Sequence, residues 1–549
     1  MLEISVLDWL VIALYLFALI GFAFYLSRQQ FNREDYYVGG RNIGRWPIAI
    51  SILATQCSTN SILGAPAFVA FTAGGGLVWL QYELALPLAM LPLIFFLVPL
   101  FRRLQLVSVY EYLERRFDVK TRVLMSGIFL FVRAFATAVT VYSIAIVIDL
   151  ITGIGFFWSV VLLGLFTVVY DVMGGIRGVI YSDVIQMLIL VVVLLLIMAY
   201  LLIDLGGFDA MMQQIPEERI RPLDFSHHGI GDGHSFAFWP MLLGGFFLYV
   251  SYYGCDQSQV QRTLTAKSVQ EGNSALIING FLRFPLVALY CFVGIGLAVY
   301  TIEHASLINT LPVSHGEPNY NLIVPAYMIE RLPDGVVGLG LVALFAAAMS
   351  SLDSVLNALS ATTMEDFVRR YRESKQRTPL GLTQELWLSR AITAVWGVIT
   401  LTAAFYVGDI APTVLEAINK IGSLINGPIL AVFALGVFSR RCESVGAVAG
   451  LLMGFCSNVV LWIFAPEVSW LWWNVSGFAV AVFVGMLVGA TRLCHQYSKP
   501  LDEALHPQIS KAWLRSCLGQ QYNQKALIAM VTWFVFLLVV LWGLQHYPR

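Results

Sequence analysis

The sequence predicts an all-α, polytopic membrane protein. It should have about 14 transmembrane helices, arranged as an inverted five-plus-five helix repeat in which each half opens with a discontinuous helix. Three observations predict this. The 549 residues are 58% hydrophobic and 12% charged, whereas a soluble domain carries roughly a quarter charged residues. Apolar windows of about 20 residues, the length that crosses a bilayer core, recur along the chain. Two of those windows are interrupted by small and polar residues, and they lie five windows apart. The formal net charge of −1 argues against a nucleic-acid partner.

The windows fall at 6–26, 46–72, 77–101, 123–151, 154–171, 182–203, 237–257, 275–302, 335–363, 386–407, 410–437, 443–465, 469–491 and 525–546. The first opens near Val6 after Glu3, with no basic cluster, and so reads as a retained span rather than a signal peptide. The second holds Ser51-Ile-Leu-Ala-Thr-Gln-Cys-Ser-Thr-Asn-Ser-Ile-Leu-Gly-Ala-Pro66. Lipid cannot hydrogen-bond a loosened backbone, so a break at this depth must line a protein-enclosed cavity. Such breaks hold ions and solutes in secondary transporters; close helix packing through small residues is the alternative. The seventh window is the other interrupted one and runs into Tyr252-Tyr253-Gly254-Cys255-Asp256-Gln257. The organisation expected is an extra span and loop over 1–45, a first repeat over 46–203, a second over 237–437 and accessory spans over 443–549.

Basic residues set the orientation. They cluster in the loops after the first window (Arg28, Arg33, Arg41, Arg45), the third (Arg102 to Arg122) and the ninth (Arg369 to Arg377), with Arg440 and Arg441 after the eleventh. Alternating spans place all of these on one face, read as cytoplasmic, with both termini outside. The opposite face carries the acidic loop 204–236 with His227, His228 and His234. No tetrahedral ligand spacing is evident there, which favours a solvated loop over a metal site. The seven cysteines lie in apolar runs or cytoplasmic loops and form no C-x-x-C pair, so no disulfide framework is expected.

The ninth window ends Ala346-Ala347-Ala348-Met349-Ser350-Ser351-Leu352-Asp353-Ser354. Three hydroxyls and a carboxylate within one and a half turns suit a hard cation such as Na+, which takes oxygen ligands. Carbonyls freed near Ala54 and Cys57 would complete the set. The alternative is serine back-bonding within the helix.

Four ordered segments carry a family resemblance. They are Asp35-Tyr-Tyr-Val-Gly-Gly-Arg41, Tyr110-Glu-Tyr-Leu-Glu-Arg-Arg-Phe117, Gly174-Gly-Ile-Arg-Gly-Val-Ile-Tyr-Ser-Asp-Val-Ile-Gln186 and Gln261-Arg-Thr-Leu-Thr-Ala-Lys-Ser268. With the serine cluster they resemble the sodium/solute symporter family, although Tyr110 stands where that family usually has proline. The resemblance implies a main sodium site of Ala54, Cys57, Ala347, Ser350 and Ser351, the first three through backbone carbonyls. It implies a second cation site of Asp183, Asp353 and Ser354. Family members usually carry Ser or Thr at position 353, so here either a second cation is held more strongly or one carboxylate is protonated.

Ionisable residues inside spans mark function, and Glu83, Arg133, Asp256, Arg283 and Lys420 stand out. The resemblance implies that Glu83 and Asp256 fall where acidic or amide residues of sugar-transporting relatives contact the solute, Arg283 where a lysine does, and Asn419 near an amide contact. Gln56, Ser58, Asn60 and Ser61 belong to the broken helix that would face the same cavity. Arg133 offers a donor fork that matches a carboxylate; an ion pair with Glu83 or Asp256 is the other reading. The expectation is a plasma-membrane symporter that uses Na+ to import a small polar solute, a sugar or an acidic sugar such as sialic acid. The alternatives are proton coupling, a small monocarboxylate or an amino acid as cargo, and a transporter-like sensor. A sensor would need a signalling domain, and the chain ends at Arg549 soon after its last span. No H-E-x-x-H, G-x-S-x-G or P-loop is present, which argues against an enzyme.

Overall fold

The computed structural model describes residues 5–314, 316–407, 414–490 and 521–547. Within them the protein is helical, apart from a two-stranded hairpin, Val313–Ser314 with Glu317–Pro318. Among the described residues, eleven helices are long and apolar enough to cross a membrane, and a bent pair makes a twelfth.

The bent pair is α1 (Arg45–Gln56) and α2 (Thr59–Phe71), which meet at 54°. The chain leaves helical geometry at Cys57 and Ser58, inside the polar stretch that marks the break in the sequence. The span Leu77–Arg103 comes next, then α3 (Val119–Thr152) and α4 (Phe156–Asp204). Forty-nine residues of straight helix would extend about 74 Å, far more than a bilayer. Helix α4 instead breaks at Gly175 (φ 55°, ψ −163°), which separates the windows expected at 154–171 and 182–203. Only glycine adopts that backbone without strain, and a Cβ there would sit 2.8 Å from the Tyr36 ring.

The window at 237–257 contains a π turn, Pro240–Gly244, and α5 (Gly245–Cys255). Asp256 is extended (φ −92°, ψ 122°) and its carboxylate caps the next helix, α6 (Gln257–Leu264), by accepting from the Ser258 N–H at 2.9 Å. A side-chain oxygen at this position satisfies an orphan donor of the helix start. Then come α7 (Val269–Glu303), α8 (Val336–Thr362), α9 (Leu382–Val407), α10 (Val414–Phe438), α11 (Ser444–Phe464), α12 (Trp472–Gly489) and α13 (Gln521–Gln545). An N-terminal helix, Val6–Ser27, precedes them all. Its Asp8 is buried and accepts from the Gly335 and Gly338 N–H groups at 2.7 and 2.6 Å, so it holds the start of α8.

The basic loops meet on one face. Arg33 pairs with Glu365, Arg41 donates to the Gln105 carbonyl at 2.9 Å, and Arg122 grips Asp366 through Nε and Nη2 at 2.7 and 2.5 Å. Arg116 donates to the carbonyls of Gly436, Ser439 and Cys442 at the end of α10. The segments that carry the family resemblance interlock there. Arg177 donates to the Gly39 carbonyl at 2.9 Å, and Gln261 donates to the Tyr37 carbonyl at 2.8 Å. Cys57, Cys255, Cys291, Cys442 and Cys456 are free thiols; Cys494 and Cys517 lie outside the described residues.

Candidate functional site

The two helix breaks face one cavity of about 340 Å³. The α1–α2 break contributes Gln56, Ser58 and Ser61 to its wall, and Asp256 comes from the α5–α6 break. Glu83, Arg133, Arg283 and Ser351 complete the polar lining predicted from sequence. The side chains of Asn60 and Asn419 lie outside the described residues. Asn426, two turns beyond Asn419 on α10, lines the cavity and was not predicted. Tyr82, Tyr249, Tyr252, Trp79 and Phe68 supply aromatic walls that sequence reasoning also missed.

The four charged groups are paired across the cavity. Arg283 bonds Glu83 at 3.3 Å, and Glu83 also accepts from the Tyr249 hydroxyl at 3.2 Å. Arg283 further donates to the Cys57 thiol at 3.1 Å, so that cysteine contributes a side-chain contact as well as backbone. Arg133 Nε donates to Asp256 at 2.5 Å, and its guanidinium lies 4.9 Å from the centre of the Tyr252 ring. The ion-pair reading of Arg133 is therefore present in the structure, with Asp256 as partner. Side chains of both residues keep partial exposure, 23% and 13%, while Glu83 is closed off at 1%. Gln56 accepts from the Tyr253 hydroxyl, which in turn accepts from the Asn279 amide at 3.1 Å.

Behind the wall, α8 packs on the end of α1. Ser350 Oγ lies 3.3 Å from the carbonyl of Ala54 and 3.3 Å from that of Ala347. Ser351 Oγ donates to the Ala347 carbonyl at 3.2 Å and opens on the cavity. Cys57 is buried at the end of α1, its N–H bonded to the Leu53 and Ala54 carbonyls at 3.0 Å. Of the five residues expected at a main sodium site, Ala54, Ala347 and Ser350 meet at this contact and Ser351 bonds Ala347, while Cys57 sits at the break that ends α1. The hydroxyls do back-bond to their own helix, as the bland reading anticipated, but Ser350 also crosses to another one. Neutral hydroxyl and carbonyl oxygens are the donors a hard monovalent cation takes.

The second predicted set contains a guest that sequence reasoning did not assign. Arg262, fully buried on α6, bonds Asp183 at 3.2 Å, Ser51 Oγ at 2.7 Å and Ser354 Oγ. Ser51 also donates to Asp183 at 2.5 Å. Asp353 accepts from the Tyr170 hydroxyl and from Ser354 at 3.2 Å. The two carboxylates are linked through Ser354 and the guanidinium, not directly. Arg262 stands in the Gln261–Ser268 segment already singled out, but only the fold shows which carboxylate it meets.

Broken helices around a midchain cavity, with oxygen clusters at the break, define an ion-coupled membrane carrier. The family model of the sodium:solute symporters matches residues 36–454. The sodium/sialic acid symporter NanT of Aliivibrio fischeri is 30% identical over 504 residues, covering 90% of this chain and 95% of that protein. The sodium-coupled monocarboxylate transporter 1 of Homo sapiens is 28% identical over 451 residues, covering 81% of this chain and 70% of that protein. The solved structure of a Na+-coupled sialic acid symporter, in a substrate-bound outward-open state, superposes with a TM-score of 0.79 at 26% identity, covering 89% of this chain and 98% of that one. This chain belongs to the sodium:solute symporter family. It is a multi-pass membrane transporter, not an enzyme, and Na+ is its coupling ion.

Proposed function

We propose that the protein uses the inward Na+ gradient to import an acidic sugar, with sialic acid the leading candidate. The observation that carries this reading is the Ser350 hydroxyl lying between the Ala54 and Ala347 carbonyls, one residue from Ser351 on the cavity wall. Na+ would be bound there by Ala54, Cys57, Ala347, Ser350 and Ser351. It would enter from outside, stiffen the α1–α2 break, and so order Gln56, Ser58 and Ser61 for the solute. The helix bundles would then rock to face the cytoplasm. Coupling needs only that Na+ favour the solute-competent state. Both termini would face outward, from the plasma membrane.

A cavity of about 340 Å³ is at the small end of ligand pockets and suits a single sugar ring with short substituents. Arg133 is the group for a carboxylate. Its Nε and Nη2 hold Asp256, so a solute acid would be bound by the remaining edge of the fork or would displace that aspartate. The same geometry serves a short monocarboxylate, the cargo named for the human relative. Asp353, bonded to the Tyr170 hydroxyl and with no guanidinium of its own, is where we place a second cation, Na+ or a proton, together with Ser354 and Asp183.

Uptake into proteoliposomes under a Na+ gradient decides between these cargoes, with sialic acid, neutral hexoses and short monocarboxylates in one competition panel. Sialic acid should compete and neutral hexoses should not. If only neutral sugars compete, and Arg133→Ala lowers thermal stability without changing solute affinity, the carboxylate role of Arg133 is wrong.

A further inference from the structure

The acidic loop that joins the repeats contains a second polar constellation, well away from the sodium site. The fold brings Asp224, His227 and His234 together so that one ligand atom from each lies within 4.8 Å of the others. Asp224 Oδ2 is 2.8 Å from His227 Nδ1, and the rings of His227 and His234 stack with centroids 3.6 Å apart. The loop that presents them is held in place. Asp232 accepts from the backbone N–H groups of His228, Gly229 and His234 at 2.6, 3.0 and 3.0 Å. The Gly229 carbonyl accepts from the Ser469 N–H at 2.8 Å, and the His228 carbonyl from the Trp472 indole at 2.9 Å. The donor atoms are therefore positioned by backbone bonds on either side of each histidine.

We infer that Asp224, His227 and His234 form a site for a divalent transition ion of the Zn2+ type, and that filling it restrains transport. Two imidazoles and a carboxylate are the ligands Zn2+ takes, with water in the fourth place. Tetrahedral Zn2+ holds such N and O atoms about 3.3 Å apart, so the Asp224–His227 pair need open by only about half an ångström. The stacked rings must splay, which their exposure permits. Ca2+ and Mg2+ are disfavoured because both prefer an all-oxygen shell.

The restraint follows from where this loop leads. The Asp224 N–H donates to Gln81 Oε1 at 3.2 Å, and Gln81 Nε2 donates to the Phe236 carbonyl at 2.7 Å. The Phe238 N–H returns to the Asp224 carbonyl at 2.9 Å. Phe236 packs edge-on against Phe68 at 4.9 Å and against Trp79 at 5.9 Å, and both of those line the solute cavity. Pinning Asp224 to His234 thus fixes the strap that carries Phe236. If the cavity must open past these rings, the metal acts as a brake.

The test has two arms, and only the second rests on the transport reading. In the first, Zn2+ alone is titrated into the purified protein in detergent while thermal unfolding is followed. Wild type should gain several degrees at micromolar Zn2+ and nothing from equal Mg2+, and a His227→Ala/His234→Ala variant should lose the gain while keeping its metal-free melting temperature. No stabilisation, or stabilisation that persists in the double variant, overturns the site. In the second, Na+-driven uptake is measured with Zn2+ on the loop side. Inhibition of wild type but not of the double variant supports the brake, and equal uptake with the site demonstrably filled overturns it. Absence of a transported solute leaves the first arm standing and counts against the proposed cargo only.

Discussion

Ser351→Ala is the most direct probe of the proposed sodium site. The hydroxyl sits on the cavity wall and donates to the Ala347 carbonyl at 3.2 Å, four residues back along its own helix. To serve Na+ it must turn its lone pair to the ion and weaken that bond. A hydrogen-bonding contact with a charged group contributes roughly 1.5–3 kcal/mol, and a neutral one about 1 kcal/mol. The net loss of Na+ binding on removing the hydroxyl is then about 0.5–2 kcal/mol, or a roughly two- to thirtyfold weaker Na+ affinity. Stability without Na+ should barely change, because the lost bond is a partly exposed back-bond. Ser350→Ala is a poorer probe: Ser350 is buried and bridges to Ala54, so its loss also loosens helix packing. The assay is Na+-dependent thermal stabilisation of the purified protein, which needs no known solute, followed by the Na+ dependence of uptake. Ser351→Thr, which keeps a hydroxyl, should restore much of the affinity. An unchanged half-saturating Na+ concentration in Ser351→Ala would refute the assignment of that residue.

Three further outcomes are expected. Arg262→Met should abolish folded expression, since it strands the buried Asp183 at a cost of about 3–5 kcal/mol; adding Asp183→Asn should restore a monodisperse peak on size-exclusion chromatography, and failure to do so would mean the guanidinium has a role beyond neutralising that aspartate. Gly175→Ala should destabilise by about 1–3 kcal/mol from backbone geometry alone, with the clash on Tyr36 in addition; a wild-type melting temperature would show that the break relaxes. At the start of α3, burial pushes the Asp118 carboxyl up, but the Thr121 N–H and hydroxyl bonds at 2.7 and 2.8 Å outweigh it and hold the group below the ordinary carboxylate range. Its cap is fully effective above that range and is lost as pH falls through the folded value, so Asp118→Asn should flatten the acid limb of the melting-temperature profile.

How much of this was legible in the sequence depended on whether the signal was local. The break at Cys57–Ser58 could be read because small and polar residues interrupt an apolar run, and the one at Asp256 for the same reason. The basic loops alternate with the spans, and in the structure Arg33, Arg41, Arg116 and Arg122 do meet on one face. What could not be read were partnerships across the chain. Tyr170 and Asp353 are 183 residues apart, and Arg262 and Asp183 are 79 apart; no periodicity encodes either. Arg283 and Glu83 were each noted as costly in a membrane, yet only the fold shows that they neutralise each other. Asn426 could not be singled out because an amide in an apolar helix carries no mark of which face meets the cavity. The histidines of the 204–236 loop lacked any recognisable ligand spacing because turns, not a helix, bring them together.

The Asp183 cluster and the proposed sodium site differ in a way that bears on coupling. At Asp183 the cation is Arg262, covalently fixed and fully buried, and it cannot leave during a cycle. At Ser350 and Ser351 the donors are neutral oxygens with back-bonds to return to, so an ion bound there can be released without exposing a bare charge. The fixed guanidinium cannot cross the membrane, whereas an ion held at Ser350 and Ser351 could. The element that would hold the ion also shapes the solute cavity: Ala54 and Cys57 lie within seven residues of Gln56, Ser58 and Ser61 on one broken helix. Ordering that helix with Na+ lowers the cost of solute binding, and solute must raise Na+ affinity by the same factor, because linkage between binding sites is reciprocal. Coupling of this kind is typically about 1–3 kcal/mol, or roughly 5- to 150-fold. It requires no conduit between distant sites, only a short unwound segment that neither ligand can order as well alone.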